Sequence, residues 1–199
     1  MDAVDRYLDE TLAAIARLSR ADIRLVVDAL EAVYRADRTV FLIGNGGSAS
    51  TASHMMNDLC KFTVVERRPR FRAISLTDNV PLLTALGNDV AFSEIFVEPL
   101  RSLARPGDAL IAISGSGNSP NIVRAVEYAI EHDIRTIGLC GSPGGRLAAL
   151  AELRIIVPAD RIGQQEDGHL ILNHTIATAL RERIERAPDP ALAVAAVGA

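Results

Sequence analysis

The sequence predicts an α/β fold in which a parallel sheet is covered by helices on both faces. Three observations point there. The runs 39–43, 109–113 and 136–140 are short and continuously apolar, as strands buried on both faces must be. Stretches of helical periodicity separate them, the alternation expected of such a sheet. Two small-residue loops stand where a strand should turn into a helix. They are Gly44-Asn45-Gly46-Gly47-Ser48-Ala49-Ser50 and Ser114-Gly115-Ser116-Gly117-Asn118-Ser119.

The elements follow in order. Over residues 3–18, Val4, Tyr7, Leu8, Leu12 and Ile15 share one helical face. Over 20–36, Ile23, Val26, Val27, Leu30, Val33 and Tyr34 do the same. A helical hairpin therefore precedes the first strand, 39–43. The first loop and a helix over 48–60 come next, then a strand at 72–76 and helices near 80–87 and 91–104. The turn Arg105-Pro106-Gly107-Asp108 resets the chain for strand 109–113. After the second loop come helix 119–132, strand 136–140, a turn at 141–145, a short helix at 146–150, strand 154–157 and a long helix over 166–186. The organisation expected is a hairpin arm over 1–37 that serves oligomerisation, an α/β domain over 38–187, and a flexible Ala/Val/Pro-rich tail over 188–199.

Composition narrows the function. A chain of 199 residues makes one domain, and 49% apolar against 23% charged residues supports a packed core. The net charge of −4 and the lack of a basic stripe argue against nucleic acid as the main ligand. No apolar run approaches the roughly 20 residues that span a bilayer. The acidic, periodic N-terminus does not read as a signal peptide. Cys60 and Cys140 are isolated and form no metal spacing, so a reducing cytoplasm is expected.

Each loop offers backbone N–H groups, hydroxyls and a helix N-terminus, all suited to an anion. Both stand beyond the carboxyl ends of strands, where ligands of such sheets bind. A phosphorylated ligand is the expectation; two ligand-free glycine-rich turns are the alternative. The first loop is not a P-loop, because it lacks Gly-Lys-Ser/Thr. It also fails G-x-G-x-x-G at Ala49, although the variant with Ala at that place leaves a nucleotide reading open. His54 and Asp58 lie four apart and share a helix face. Glu166, His169 and His174 lie on the last helix. Plain polar faces are the alternative for both groups, and a satisfied core histidine is the alternative for His174.

GNGGSAS after a strand, Gly87-Asn88-Asp89, and SGSGNS after a later strand together resemble the sugar isomerase (SIS) domain. Over residues 1–186, order and spacing look most like the phosphoheptose isomerases, which convert sedoheptulose 7-phosphate to D-glycero-manno-heptose 7-phosphate. The resemblance implies a three-layer α/β sandwich with a doubly wound parallel sheet, assembled as a homotetramer. It implies that Asn45, Gly46, Gly47, Asn88 and Asp89 touch substrate. Ser114, Ser116 and Ser119 bind the phosphate, with Ser48 and the Gly115 backbone among the loop groups around it.

The same resemblance implies an acid–base and metal site. The family has a His and a Glu four apart after the first loop; here His54 matches the His, and Asp58 stands in place of the Glu. The spacing of His169 and His174 aligns the last helix, making His174 the catalytic His. Glu166 then falls on a Gln position, given about two extra residues in 161–165; with the gap elsewhere, Gln165 is the match. A divalent metal, zinc, would be held by His54, Asp58, Glu166 and His174, with Asp58 and His174 as the proton-transfer pair. Asp58 reaches ~1.5 Å less far than Glu. Glu166 and His174 are separated by ~12 Å of helix rise, so a shared metal needs long converging side chains or a neighbouring subunit. Three functions stay open: a phosphoheptose isomerase, an isomerase of another phosphosugar, and a non-catalytic relative such as the DnaA-binding replication-initiation factor. The last lacks the final His and the early acidic residue.

Overall fold

The computed structural model describes residues 2–188; of the tail expected to be flexible, 189–199 lie outside the described residues. The chain runs α1 (Ala3–Ala16), α2 (Arg20–Arg35), β1 (Thr39–Gly44) and α3 (Gly47–Asn57), which continues as a π-turn, Asp58–Phe62. Then come β2 (Arg72–Ser75), α4 (Val80–Asp89), a 3-10 turn (Phe92–Glu94), α5 (Val97–Leu103) and β3 (Ala109–Ser114). It closes with α6 (Pro120–Glu131), β4 (Arg135–Gly141), α7 (Gly145–Leu150), β5 (Leu153–Val157) and α8 (Ile162–Arg186).

The five strands are parallel, in the order β2-β1-β3-β4-β5. From β1 the chain steps outward to β2 and later returns to the other side of β1 with β3. The sheet is thus doubly wound, and its switch point lies between β1 and β3. Gly44 is in register with Ile113 there, so both loops leave the sheet side by side.

The strands read as unbroken apolar runs because alternate residues serve two cores. Val40 and Leu42 pack with Ile111 and Ile113 against Leu30 of α2, Met55 of α3 and Leu172 of α8. Phe41 and Ile43 pack with Leu110 and Ala112 against Leu100 of α5, Ile122 of α6 and Leu147 of α7. Helices α1, α2 and α4 begin with side-chain caps from Asp2, Ser19 and Asn79. Helices α3 and α6 start from the two loops and have no side-chain cap. Both helix N-termini stand at the switch point, where their positive ends suit an anion, although Pro120 carries no N–H and Ile122 N is taken by Asn121 Oδ1.

Three elements differ from expectation. The helix expected over 91–104 is divided into the 3-10 turn Phe92–Glu94 and the short α5, Val97–Leu103. Helix α8 begins at Ile162 rather than 166, because its first turn carries Gly163 and the polar Gln164 and Gln165, which follow no apolar period. The apolar face of α1 is not buried: Val4, Leu8 and Leu12 are 65%, 56% and 68% exposed. Helix α1 is held to α8 by polar contacts instead. Tyr7 Oη donates to Asp167 at 2.7 Å, Gln164 Nε2 donates to Glu10 at 3.0 Å, and Arg161 pairs with Glu10 at 3.2 Å. No helix among the described residues is long and apolar enough to cross a membrane.

Candidate active site

The two loops are locked to each other and to their surroundings. Asn45 Nδ2 donates to Asn121 Oδ1 at 2.9 Å, and Asn121 Nδ2 donates back to Asn45 Oδ1 at 2.8 Å. In the second loop Ser114 Oγ accepts from Gly117 N at 3.1 Å, and Ser116 Oγ accepts from Asn118 N at 3.2 Å. Leu147 N donates to Gly117 O at 2.9 Å, so α7 braces the loop from behind. Gly117 has φ +64°, and a side chain there would run into the Gly144 carbonyl; only glycine fits. Ser114 is buried and Ser116 exposed, while the Ser119 hydroxyl makes no capping bond. A hydroxyl that accepts from the backbone keeps its own proton, so the exposed Ser116 has a donor to spare, and the Ser119 hydroxyl is not used as a cap. In the first loop Ser48 is buried, whereas Gly46 and Gly47 are exposed.

Beside the loops, α3 and α8 bring three side chains together. The α3 helix widens into the π-turn at Asp58, with Thr63 N donating to Asp58 O at 3.1 Å. Such insertions often re-aim a side chain at a functional site. Asp58 Oδ2 lies 3.5 Å from His54 Nε2 and 3.8 Å from His174 Nε2, and the two Nε2 atoms are 3.3 Å apart. A tetrahedral zinc with ligand bonds of about 2.0–2.2 Å separates its donors by roughly 3.3–3.6 Å. Two of the three separations lie in that range and the His174–Asp58 one slightly beyond it, so the triangle of two imidazole nitrogens and one carboxylate oxygen suits a divalent cation in chemistry and comes close to one in size. Asp58 is 9% exposed, while both rings open to solvent, where substrate can reach them.

Glu166 does not join this cluster. Its carboxylate lies over the start of α3, where a methyl group on Gly47 would collide with it. Eight residues of helical rise separate it from His174, and the two project at different levels of the switch point. Gln165 serves the other loop. Its side chain lies against Gly115 and Gly141, and Nε2 donates to Ala159 O at 2.8 Å. The two residues that competed for one position thus reach two different loops. Asn88 and Asp89 lie on exposed α4, where Asn88 Nδ2 donates to Asp89 at 2.7 Å.

The core histidine is His169, not His174. His169 is fully buried, neither ring nitrogen makes a well-formed hydrogen bond among the described residues, and desolvation pushes its pKa down to about 4 against the opposing pull of the nearby Cys140 backbone. Five residues along α8 turn the helix by roughly 140°, which carries His174 out to the site. Two residues of the site were not singled out from sequence. Asn121 gives no local signal after Pro120. Asn173 gives a faint one, being a polar residue among the apolar ones on the face that buries Leu172 and Ile176.

A SIS domain family model matches residues 6–141. Phosphoheptose isomerase from Geotalea daltonii is 36% identical over 92% of this chain and 90% of its own length. That from Geobacter sp. strain M21 is 40% identical over 77% of this chain and 78% of its own. Among solved structures, a phosphoheptose isomerase from Francisella tularensis superposes with a TM-score of 0.84 at 29% identity, covering 92% of this chain and all of that one. With its doubly wound sheet, its paired loops at the switch point and these relatives, the chain belongs to the SIS domain family and, within it, to the phosphoheptose isomerases.

Proposed function

We propose that the chain interconverts sedoheptulose 7-phosphate and D-glycero-manno-heptose 7-phosphate by aldose–ketose isomerisation. One observation carries the reading: an imidazole–carboxylate–imidazole triangle stands beside two hydroxyl-bearing anion loops. The Ser116 and Ser119 hydroxyls and the uncapped start of α6 bind the phosphate, with Ser114 and Gly115 shaping the loop. Asn45, Gly46, Gly47 and Ser48 line the sugar, joined by Asn88 and Asp89. Glu166, over Gly47, accepts from sugar hydroxyls rather than binding metal. Asp58 and His174 are the proton-transfer pair. One takes the proton from the carbon beside the carbonyl, giving an enediol, and returns a proton to the former carbonyl carbon; the other moves protons between the two oxygens. A divalent metal, for which we propose zinc, would be held by His54, Asp58 and His174 and would supply positive charge against the negative charge that develops on those oxygens.

We also read the protein as a cytoplasmic homotetramer. The unburied apolar face of α1 supports the assembly, and two unpaired cysteines suit the compartment. The test is to incubate the purified protein with a panel of ketose phosphates in D2O and follow proton exchange by NMR. Exchange with sedoheptulose 7-phosphate alone is expected. Exchange with a different phosphosugar would reassign the substrate. Binding without exchange under any added divalent metal would make the protein a non-catalytic binder.

A further inference from the structure

We propose that Asn173 is a positioning residue for the isomerisation, acting through Asp58; the proposal rests on the reading of Asp58 as a proton-transfer group and metal ligand. Asn173 is fully buried on the face of α8 that packs into the core between Leu172 and Ile176. A primary amide in apolar surroundings is costly unless its hydrogen bonds are made. Among the described residues Asn173 makes one: Nδ2 donates to Asp58 Oδ2 at 3.0 Å, while Asn173 Oδ1 has no partner. An amide retained in the core for a single bond points to the value of that bond.

The bond falls on the oxygen that matters. Asp58 Oδ2, not Oδ1, faces both imidazoles. With one lone-pair direction taken by Asn173 from the core side, the other is left pointing at His54 and His174. The torsion that turns a carboxylate is broad and soft, so an unrestrained Asp58 would sample many orientations. Its other oxygen has only a long contact, from Asn57 Nδ2 at 3.4 Å. Asp58 also leaves the chain from the π-turn, where the backbone is less regular than in the helix before it. Among the described residues Asn173 is the one strong restraint on its plane. Residues that orient a metal ligand in this way typically change metal affinity or activity 10–100-fold when removed.

The test uses the full chain with Asn173→Leu, Asn173→Ala, Asp58→Asn, and each Asn173 variant combined with Asp58→Asn. Three quantities are read: kcat and KM with sedoheptulose 7-phosphate, the Zn2+ dissociation constant of metal-stripped protein by titration calorimetry, and Tm. We expect Asn173→Leu to lower kcat about 10–100-fold with KM changed less than about threefold, and to weaken Zn2+ binding by a similar factor. In the Asp58→Asn background the same change should move Zn2+ affinity by less than about twofold, because residues that act through one another are not additive. If Asn173→Leu does not fold, Asn173→Ala, which leaves room for water, is read in its place. Parent-like kcat and Zn2+ affinity in a folded Asn173 variant would overturn the proposal. So would an equal loss of Zn2+ affinity in both backgrounds, which is the signature of simple packing. Full activity of Asp58→Asn alone would instead overturn the role given to Asp58, a separate failure.

Discussion

Asp58 Oδ2 is shared by Asn173 from the core and by two imidazoles from the solvent side, so the site is set by the reach of one short side chain. Aspartate already meets both rings here, because the π-turn carries it forward. One more methylene would overshoot the triangle and break the Asn173 bond. We therefore expect Asp58→Glu to lower kcat about tenfold or more, since misplacement of this size is felt steeply. His174→Ala should cost roughly 10²–10⁴-fold while phosphate binding persists. Steady-state kinetics with sedoheptulose 7-phosphate check both, and parent-like turnover in either variant would refute the geometry. In the sequence, His54 and Asp58 shared a helix face by local spacing, and His174 was reached only through the family resemblance. Asn173 was not legible there, because its worth lies in a partner 115 positions away.

Helix α8 carries two histidines with opposite fates. His169 titrates near 6.5 in an unfolded chain, but its pKa is about 4 in the fold. As pH falls below about 6.5 the unfolded state takes up a proton that the folded state refuses. The stability this group provides is present above that pH and is lost on the way down to about pH 4. A difference of roughly 2.5 units corresponds to about 3 kcal/mol as an upper figure. His169→Leu should flatten the fall in stability across that window by an amount of this order, measured by urea unfolding at a series of pH values. An unchanged slope would show that His169 is not buried neutral. The helix starts four residues before its apolar period for a related reason: Gln164 is buried against Glu10 of α1 and Gln165 against the Ala159 carbonyl, so no apolar spacing marks them.

At the scale of the whole molecule, the apolar strand runs and the loops after them announced a covered parallel sheet. The sheet order is a pairing between distant segments, and no periodicity encodes it. Nor did periodicity separate the two leading helices. Both are amphipathic, yet α2 completes the core through Val26 and Leu30, while α1 keeps Val4, Leu8 and Leu12 in the open. A row of apolar side chains on one exposed helix face suits a second copy of the chain. Light scattering at micromolar concentration should report a homotetramer, and Leu8→Glu with Leu12→Glu should shift it toward smaller species without unfolding the sheet. A parent that runs as a monomer would sink the assembly.

The reciprocal amide bridge between Asn45 and Asn121 also bears on how long the protein lasts. Asn45 is followed by Gly46, and glycine has no Cβ to shield its backbone nitrogen from the neighbouring side-chain amide. In a free peptide that nitrogen closes on the amide carbon, ammonia leaves, and the ring reopens to aspartate or isoaspartate. Here Asn121 holds the Asn45 amide by both of its ends, which restrains the side-chain rotation that ring closure needs. The same bridge that joins the two loops thus protects the most age-prone dipeptide of the site from chemical decay.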